Sequence, residues 1–216
     1  MNRLGRGAAV RVFLAFALAY FVSALLRAVT ATLSPVLTAE FSLHAGDLGL
    51  LAGGYFLGFA AMQLPLGHWL DRYGPRKVNT ALLAAAVLGC AVFALAQGFA
   101  ALMLARLLMG MGVSAGLMAP LTGYRRWFDA STQLRANAWM LMSGSLGMIA
   151  STLPVQWLEP LWGWRALFWA VAVLVLVAMA ALWLIVPHWQ NATKDEAACA
   201  RPEEAGGPKG SYSTIW

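Results

Sequence analysis

The sequence predicts an all-α integral membrane protein with six transmembrane helices. Hydrophobic residues make up 61% of the chain and charged residues only 11%, whereas soluble domains contain roughly 25% charged residues. Apolar runs longer than the roughly 20 residues that cross a ~30 Å hydrocarbon layer recur along the chain. These Leu/Ala-rich runs lack the apolar and polar alternation of β-barrel strands, so helices must satisfy the backbone in lipid. The composition therefore excludes a water-soluble domain.

Each predicted helix is a long apolar segment bounded by a short polar or glycine-containing stretch. The six segments cover residues 10–39, 47–70, 77–97, 101–124, 134–158 and 164–186. The first segment follows basic residues, but it is too long for the apolar region of a signal peptide. We therefore expect it to remain in the protein as a transmembrane helix.

The Lys and Arg residues lie mainly on one side of the predicted membrane. Twelve of the fifteen lie before the first helix, in the loops after the second and fourth helices, at the first or second position of the helices that follow, or after the sixth helix. By the positive-inside rule, both termini are predicted to be cytoplasmic. The net charge of +6 does not indicate a nucleic-acid partner, because these residues are divided among loops and form no single basic face.

The sequence predicts no cofactor, no metal site and no enzyme activity. Cys90 and Cys199 are too few for a metal site and too far apart in the chain to pair. Residues 112–116 read GVSAG and match the nucleophile elbow G-x-S-x-G. That elbow needs a turn from a strand to a helix, whereas these residues lie inside a predicted membrane helix. An intramembrane serine protease would need a histidine within its last helix, and the sixth segment has none.

The most specific motif joins the second and third helices. Residues 67–77 read GHWLDRYGPRK and match G-x-x-x-D-R-x-G-x-R-[RK] at every fixed position. The positive-inside rule would supply the arginines, but not two glycines and an aspartate at these spacings. Two weaker motifs are LARLLMGMG at 104–112, where Met109 replaces the usual glutamine, and GWR at 163–165. Over residues 10–187 the chain resembles the N-terminal half of a major facilitator superfamily transporter.

This resemblance implies the N-domain of that family, with six helices arranged as two inverted three-helix repeats. Residues 1–187 would form the domain, and the polar residues 188–216 a cytoplasmic linker toward a missing C-domain. In the family, the loop motif forms a conformational latch against the other half, in which a glycine permits close helix approach and an aspartate faces a helix N-terminus. The matching latch residues are Gly67, Asp71, Arg72, Gly74, Arg76 and Lys77.

Two arginines inside predicted helices are candidates for solute binding. An arginine at the centre of a membrane helix costs roughly 2.5 to 3.5 kcal/mol on insertion scales, so it usually faces a wet cavity or a partner. Arg27 and Arg106 are predicted at similar depth, on helices that line the central cavity in the family. A pair of guanidinium groups would attract a carboxylate or phosphate. The alternative for Arg106 is helix packing or proton coupling, as for the family's arginine at this place.

Gln63 and Asn137 are weaker candidates for contact with the solute, because polar residues in membrane helices also serve helix packing. The antiporter motif G-x-x-x-G-P-x-x-G-G is absent from the fifth helix, which argues against the drug:proton antiporter branch.

The resemblance implies transport of a small anionic or polar solute across a bacterial inner membrane by alternating access, driven by an ion gradient as in a symporter. The expected partners are the solute, the lipid bilayer, and the missing C-terminal half or a second copy, without nucleic acid. The alternative is a stand-alone six-helix half-transporter, or a transporter-like sensor, that acts as a dimer.

Overall fold

The computed structural model describes residues 5–188, and within them it contains six α-helices and no strand. The predicted linker, apart from His188, lies outside the described residues. The helices are α1 (Arg6–Phe41), α2 (Ala45–Ala94), α3 (Phe99–Val113), α4 (Met118–Trp127), α5 (Ala130–Ala150) and α6 (Leu153–Ile185). The predicted all-helical membrane fold is confirmed.

Two glycines break the longest helices. A straight helix of the 50 residues in α2 would measure about 75 Å, far more than the ~30 Å hydrocarbon layer. Gly74 has φ 79° and ψ 163°, a conformation that favours glycine, and it divides α2 into two arms that are each long enough to cross the membrane. Gly163 divides α6 in the same way, with φ 73° and ψ 156°. The two breaks therefore occupy corresponding places in the two predicted three-helix repeats.

Each predicted segment coincides with an observed helix or a pair of consecutive helices over most of its length. Four helical stretches are long and apolar enough to cross a membrane, and they are Arg6–Phe41, Ala45–Ala94, Phe99–Trp127 and Leu153–Ile185. The second and third predicted segments lie in the two arms of α2, and the fifth covers α5 with the start of α6. Six crossings agree with this division of the helices.

Two predicted boundaries differ from the structure. Residues 71–76, predicted as part of a loop, remain helical except for the break at Gly74. The fourth predicted helix, 101–124, is interrupted at residues 114–117. In the interruption, the Ser114 hydroxyl donates to the Met111 carbonyl at 2.7 Å, a local bond that competes with the helical pattern.

Glycines bring the backbones of α2 and α3 together. A Cβ added at Gly58 would overlap the carbonyl of Leu107, and one added at Gly110 would overlap the carbonyl of Tyr55. Gly112 lies equally close to Ala86, in the second arm of α2. Membrane helices associate through such close packing because lipid is as apolar as the helix surfaces. These contacts fix both arms of α2 against α3.

One polar cluster joins three helices at the end of the bundle where α1 finishes. The Glu40 carboxylate accepts a hydrogen bond from Trp164 Nε1 at 2.6 Å and pairs with Arg165 at 2.6 Å. Arg165 also donates to the carbonyl of Ala96 at 3.2 Å. The GWR motif therefore links the start of the second arm of α6 to the ends of α1 and α2.

We predict that Gly110→Val lowers the melting temperature of the detergent-solubilised protein by about 5 to 10 °C, because the new side chain forces α2 away from α3. Thermal unfolding followed by tryptophan fluorescence measures the change. Gly53→Val is the matched control, since a Cβ at Gly53 meets nothing within 4 Å. Equal destabilisation by both variants would contradict this account of the α2–α3 contact.

Candidate functional site

A cavity of about 270 Å³ lies between α1, the first arm of α2 and the interruption between α3 and α4. We name it the α1–α2 cavity. It is lined by Tyr20, Ser23, Arg27, Phe56, Phe59, Gln63, Val113, Ser114, Leu117 and Met118. Irregular backbone at membrane depth is tolerated where it is buried in protein or lines a cavity. The interruption at residues 114–117 meets this condition.

The lining residues follow a helical spacing on two elements. Tyr20, Ser23 and Arg27 stand at i, i+3 and i+7 on α1. Phe56, Phe59 and Gln63 repeat that spacing on α2. Residues so spaced share one face of a helix. The face of α1 presents a tyrosine, a serine and an arginine to the cavity, and the face of α2 presents two phenylalanines and a glutamine.

Arg27 is the cationic residue of the α1–α2 cavity. Its Cζ lies 5.7 Å from the ring centroid of Phe59, within the range of a cation–π contact. Its Nε is buried and has no hydrogen-bond partner among the described residues. No Asp or Glu of the described chain lines the cavity. The site therefore holds a positive charge and an unused donor without a carboxylate to neutralise them.

Gln63 lies in the same cavity and contacts the interrupted helix. Its Nε2 donates to the carbonyl of Ser114 at 3.5 Å, a long hydrogen bond. Ser23 packs against the interruption as well, because a Cβ added at Gly116 would lie 3.3 Å from the Ser23 hydroxyl. The structure thus brings together Arg27 and Gln63, which the sequence had proposed separately.

Arg106 does not line the α1–α2 cavity. Its side chain is 2% exposed and enclosed between α1 and α2. Nε donates to the carbonyl of Leu51 at 3.3 Å, and a terminal nitrogen donates to the carbonyl of Leu26 at 3.0 Å. The guanidinium also stacks 4.6 Å from the ring of Tyr55. The expectation of two guanidinium groups facing one cavity is therefore corrected, since backbone carbonyls and a ring surround the second group.

Tyr55 connects the two arginines. Its ring contacts Arg106, while its hydroxyl donates to the carbonyl of Ser23 at 3.5 Å and interacts electrostatically with Arg27. Arg106 and Arg27 lie at similar depth, as predicted, because Arg106 binds the carbonyl of the residue just before Arg27. Arg106 thus holds the α1 and α2 backbones beside the cavity.

Asn137 lies on α5, outside the α1–α2 cavity. Its Oδ1 is buried and has no hydrogen-bond partner among the described residues. The sequence named Asn137 with Gln63 as a weaker candidate for contact with the solute, and Asn137 does not line the cavity that contains Gln63. The helix that carries it, α5, packs mainly on α1 and contributes no residue to the lining of the cavity.

The motif at residues 67–77 surrounds the break in α2. Gly67, Asp71, Arg72 and Lys77 are exposed, and a Cβ added at Gly67 would meet nothing within 4 Å. Gly74 is buried and supplies the positive φ. Arg76 turns inward, with its Cζ 4.6 Å from the ring of Trp183 on α6. Packing within the described chain therefore explains Gly74 and Arg76, but not the glycine at position 67.

The described residues hold no group of three or more His, Cys, Asp or Glu that could bind a metal ion. Ser114 of the GVSAG segment is buried, and its hydroxyl is bonded to a backbone carbonyl.

Comparison with known proteins identifies the class. The family model described as Major Facilitator Superfamily matches residues 16–207, and the chain therefore belongs to that superfamily. An uncharacterized transporter, YgaY of Escherichia coli O157:H7, is 30% identical over 159 residues, which are 71% of this chain and 39% of the relative. A galacturonate transporter of Dickeya chrysanthemi is 29% identical over 163 residues, which are 74% of this chain and 45% of the relative.

A crystal structure shows the same fold. A bacterial homologue of the human lysosomal transporter Spinster aligns with a TM-score of 0.74 and 20% identity, covering 97% of this chain and 47% of its own. The chain spans about two fifths of the length of the curated relatives it matches. The protein is thus a multi-pass membrane protein of a transporter family.

Arg27 and Gln63 were predicted from the sequence as candidates for contact with the solute, but the other residues that line the cavity were not. Tyr20, Ser23, Phe56 and Phe59 could have been found from the shared i, i+3, i+7 spacing relative to the two polar residues. Ser114 offered no such signal, because the interruption of an apolar helix has no period of its own.

We predict different roles for the two arginines. Arg106→Gln should lower the melting temperature in detergent by about 5 °C or more, because carbonyl contacts that join three helices are lost. Arg27→Gln should change it by about 2 °C at most, since its Nε makes no hydrogen bond to the described chain and its contacts are with the side chains of Tyr55 and Phe59. If Arg27→Gln is the more destabilising change, this division of roles is wrong.

Proposed function

We propose that this chain forms one wall of a transporter for small organic anions, with Arg27 and Gln63 in contact with the solute. The observation that supports this most directly is the buried, unpartnered Nε of Arg27 in a cavity without described acidic residues. An arginine with a free donor binds a carboxylate through a charge-assisted hydrogen bond, which gains strength away from water. Gln63 would add a neutral donor beside it.

The remaining lining of the α1–α2 cavity favours a solute with an apolar or ring-shaped body. Tyr20, Phe56 and Phe59 present aromatic rings, and Val113, Leu117 and Met118 add apolar surface. The galacturonate transporter of Dickeya chrysanthemi bears the name of a sugar carboxylate, which has both a ring and one negative charge. Arg106 would position the site through Tyr55 without touching the solute.

The cavity would be completed by a second six-helix wall. Family transporters bind substrate near the membrane midplane between two halves that rock about it. The open surface around Gly67 and Asp71 is consistent with such a partner. In this proposal the motif at residues 67–77 acts as the latch, both termini face the cytoplasm of a bacterial cell, and an ion gradient drives transport across the inner membrane.

The alternative hypothesis is a stand-alone six-helix protein that dimerises. The size of the native gene product distinguishes the two hypotheses. An N-terminal tag on the native gene should reveal a membrane-resident band near twice the 23.2 kDa of this chain. A band near 23 kDa would indicate that the second wall comes from another copy of this chain or from a different protein.

We predict that galacturonate raises the melting temperature of the purified chain and that uncharged galactose does not, because only the acid can pair with Arg27. Arg27→Gln should remove the stabilisation by galacturonate, and Gln63→Leu should reduce it. Arg125→Gln is the control, since it removes an equal charge at an exposed position outside the α1–α2 cavity. A wild-type response to a panel of small carboxylates that persists in Arg27→Gln would overturn this site.

We also predict that Asp71→Asn shifts the complete transporter toward the inward-open state, because the latch loses its negative charge at a helix N-terminus. Single cysteines near the cytoplasmic ends of the helices should then react about twofold or more faster with a membrane-impermeant maleimide. Unchanged labelling rates would contradict the latch role.

A further inference from the structure

A second and larger cavity lies at the end of the bundle where α1 and α5 begin. We name it the end cavity. Its volume is about 490 Å³, and it is lined by Arg6, Ala9, Val10, Phe13, Trp127, Phe128, Asp129, Thr132, Arg135, Ala136 and Trp139. None of these residues belongs to the α1–α2 cavity. The solute site described above therefore leaves this cavity unexplained.

The end cavity has an excess of positive charge. Arg6 and Arg135 are its two cations, and Asp129 is the acidic residue of its lining. The Asp129 carboxylate accepts hydrogen bonds from the Ser131 hydroxyl and from Thr132 N, the latter at 3.1 Å, so it caps α5. These bonds hold the pKa of Asp129 well below its usual value and keep the carboxylate ionised. Among the described residues, neither Arg6 nor Arg135 takes part in an ion pair.

Apolar side chains are exposed on the two helices that begin at the end cavity. In the lining of the cavity Trp127 and Phe128 are buried, and Trp139 is exposed on α5. Val10 and Leu14 on α1 are more than half exposed, as are Met142 and Leu146 on α5. Tryptophan is typical of the level of lipid headgroups, and cationic residues beside it meet phosphate there. Charge at the helix ends and exposed apolar side chains farther along the same helices match an amphiphilic ligand.

We propose that the end cavity binds the phosphodiester headgroup of an anionic phospholipid between Arg6 and Arg135, with an acyl chain along the exposed apolar side chains of α1 and α5. A free phosphate would use the arginines but would leave these apolar side chains uncovered. A zwitterionic headgroup would place its own cation beside the arginines and gain less from them. The inference is independent of the proposed solute and of the residues that bind it.

Native mass spectrometry of the purified, delipidated chain tests this proposal. The probes are phosphatidylglycerol, phosphatidylcholine with the same acyl chains, and inorganic phosphate. We expect phosphatidylglycerol to bind wild-type protein at least tenfold more tightly than phosphatidylcholine, and inorganic phosphate not to displace it at equal concentration. Because each basic residue near a membrane surface contributes a factor of about five, Arg6→Gln with Arg135→Gln should weaken phosphatidylglycerol binding by about 25-fold.

Arg125→Gln is the matched control and should leave phosphatidylglycerol binding within about twofold of wild type, since Arg125 is exposed but does not line the end cavity. Undiminished binding by the double variant would overturn the site. Displacement by equimolar inorganic phosphate would assign the arginines to a free anion instead of a lipid. An equal affinity for phosphatidylcholine would overturn the anionic-lipid site and leave only general lipid contact. Absence of phosphatidylglycerol binding by wild type would overturn the proposal altogether.

Discussion

Backbone hydrogen bonding without water is the constraint on which this structure depends. In the hydrocarbon layer each amide and carbonyl must find a partner within the protein, which is why the described apolar segments are helical. Gly74 and Gly163 break their helices between predicted crossings, outside the segments that must satisfy this rule. The break at residues 114–117 lies within a predicted crossing, where it lines a cavity and Gln63 donates to the Ser114 carbonyl.

Arg27 and Arg106, the two arginines within membrane helices, are accommodated in different ways. Both side chains must offset the cost of placing a guanidinium in a membrane helix. Arg106 does so through the carbonyls of Leu26 and Leu51 and the ring of Tyr55, so contacts within the protein stabilise its charge. Arg27 keeps a buried donor unused beside open space. A guanidinium that keeps an unused donor is the better candidate for contact with a ligand.

Much of the fold could be predicted from the sequence, but only two of the ten residues that line the candidate cavity. Apolar length gave the membrane segments, and the fixed positions of residues 67–77 gave the family. Insertion cost could not separate Arg27 from Arg106, because it is the same whether carbonyls, water or a ligand offsets it. The interruption at Ser114 was also missed, since a helix that unwinds locally keeps the same apolar composition as one that does not.

The glycine at position 67 has a practical consequence of its own. Gly58 and Gly110 are small because another backbone already lies against them, but Gly67 faces open space in the described chain. A bulky fluorophore attached there would be tolerated by this chain alone and would collide with any helix that packs across it. Position 67 thus distinguishes a solitary wall from an assembled transporter, and the same label would report when the second wall arrives.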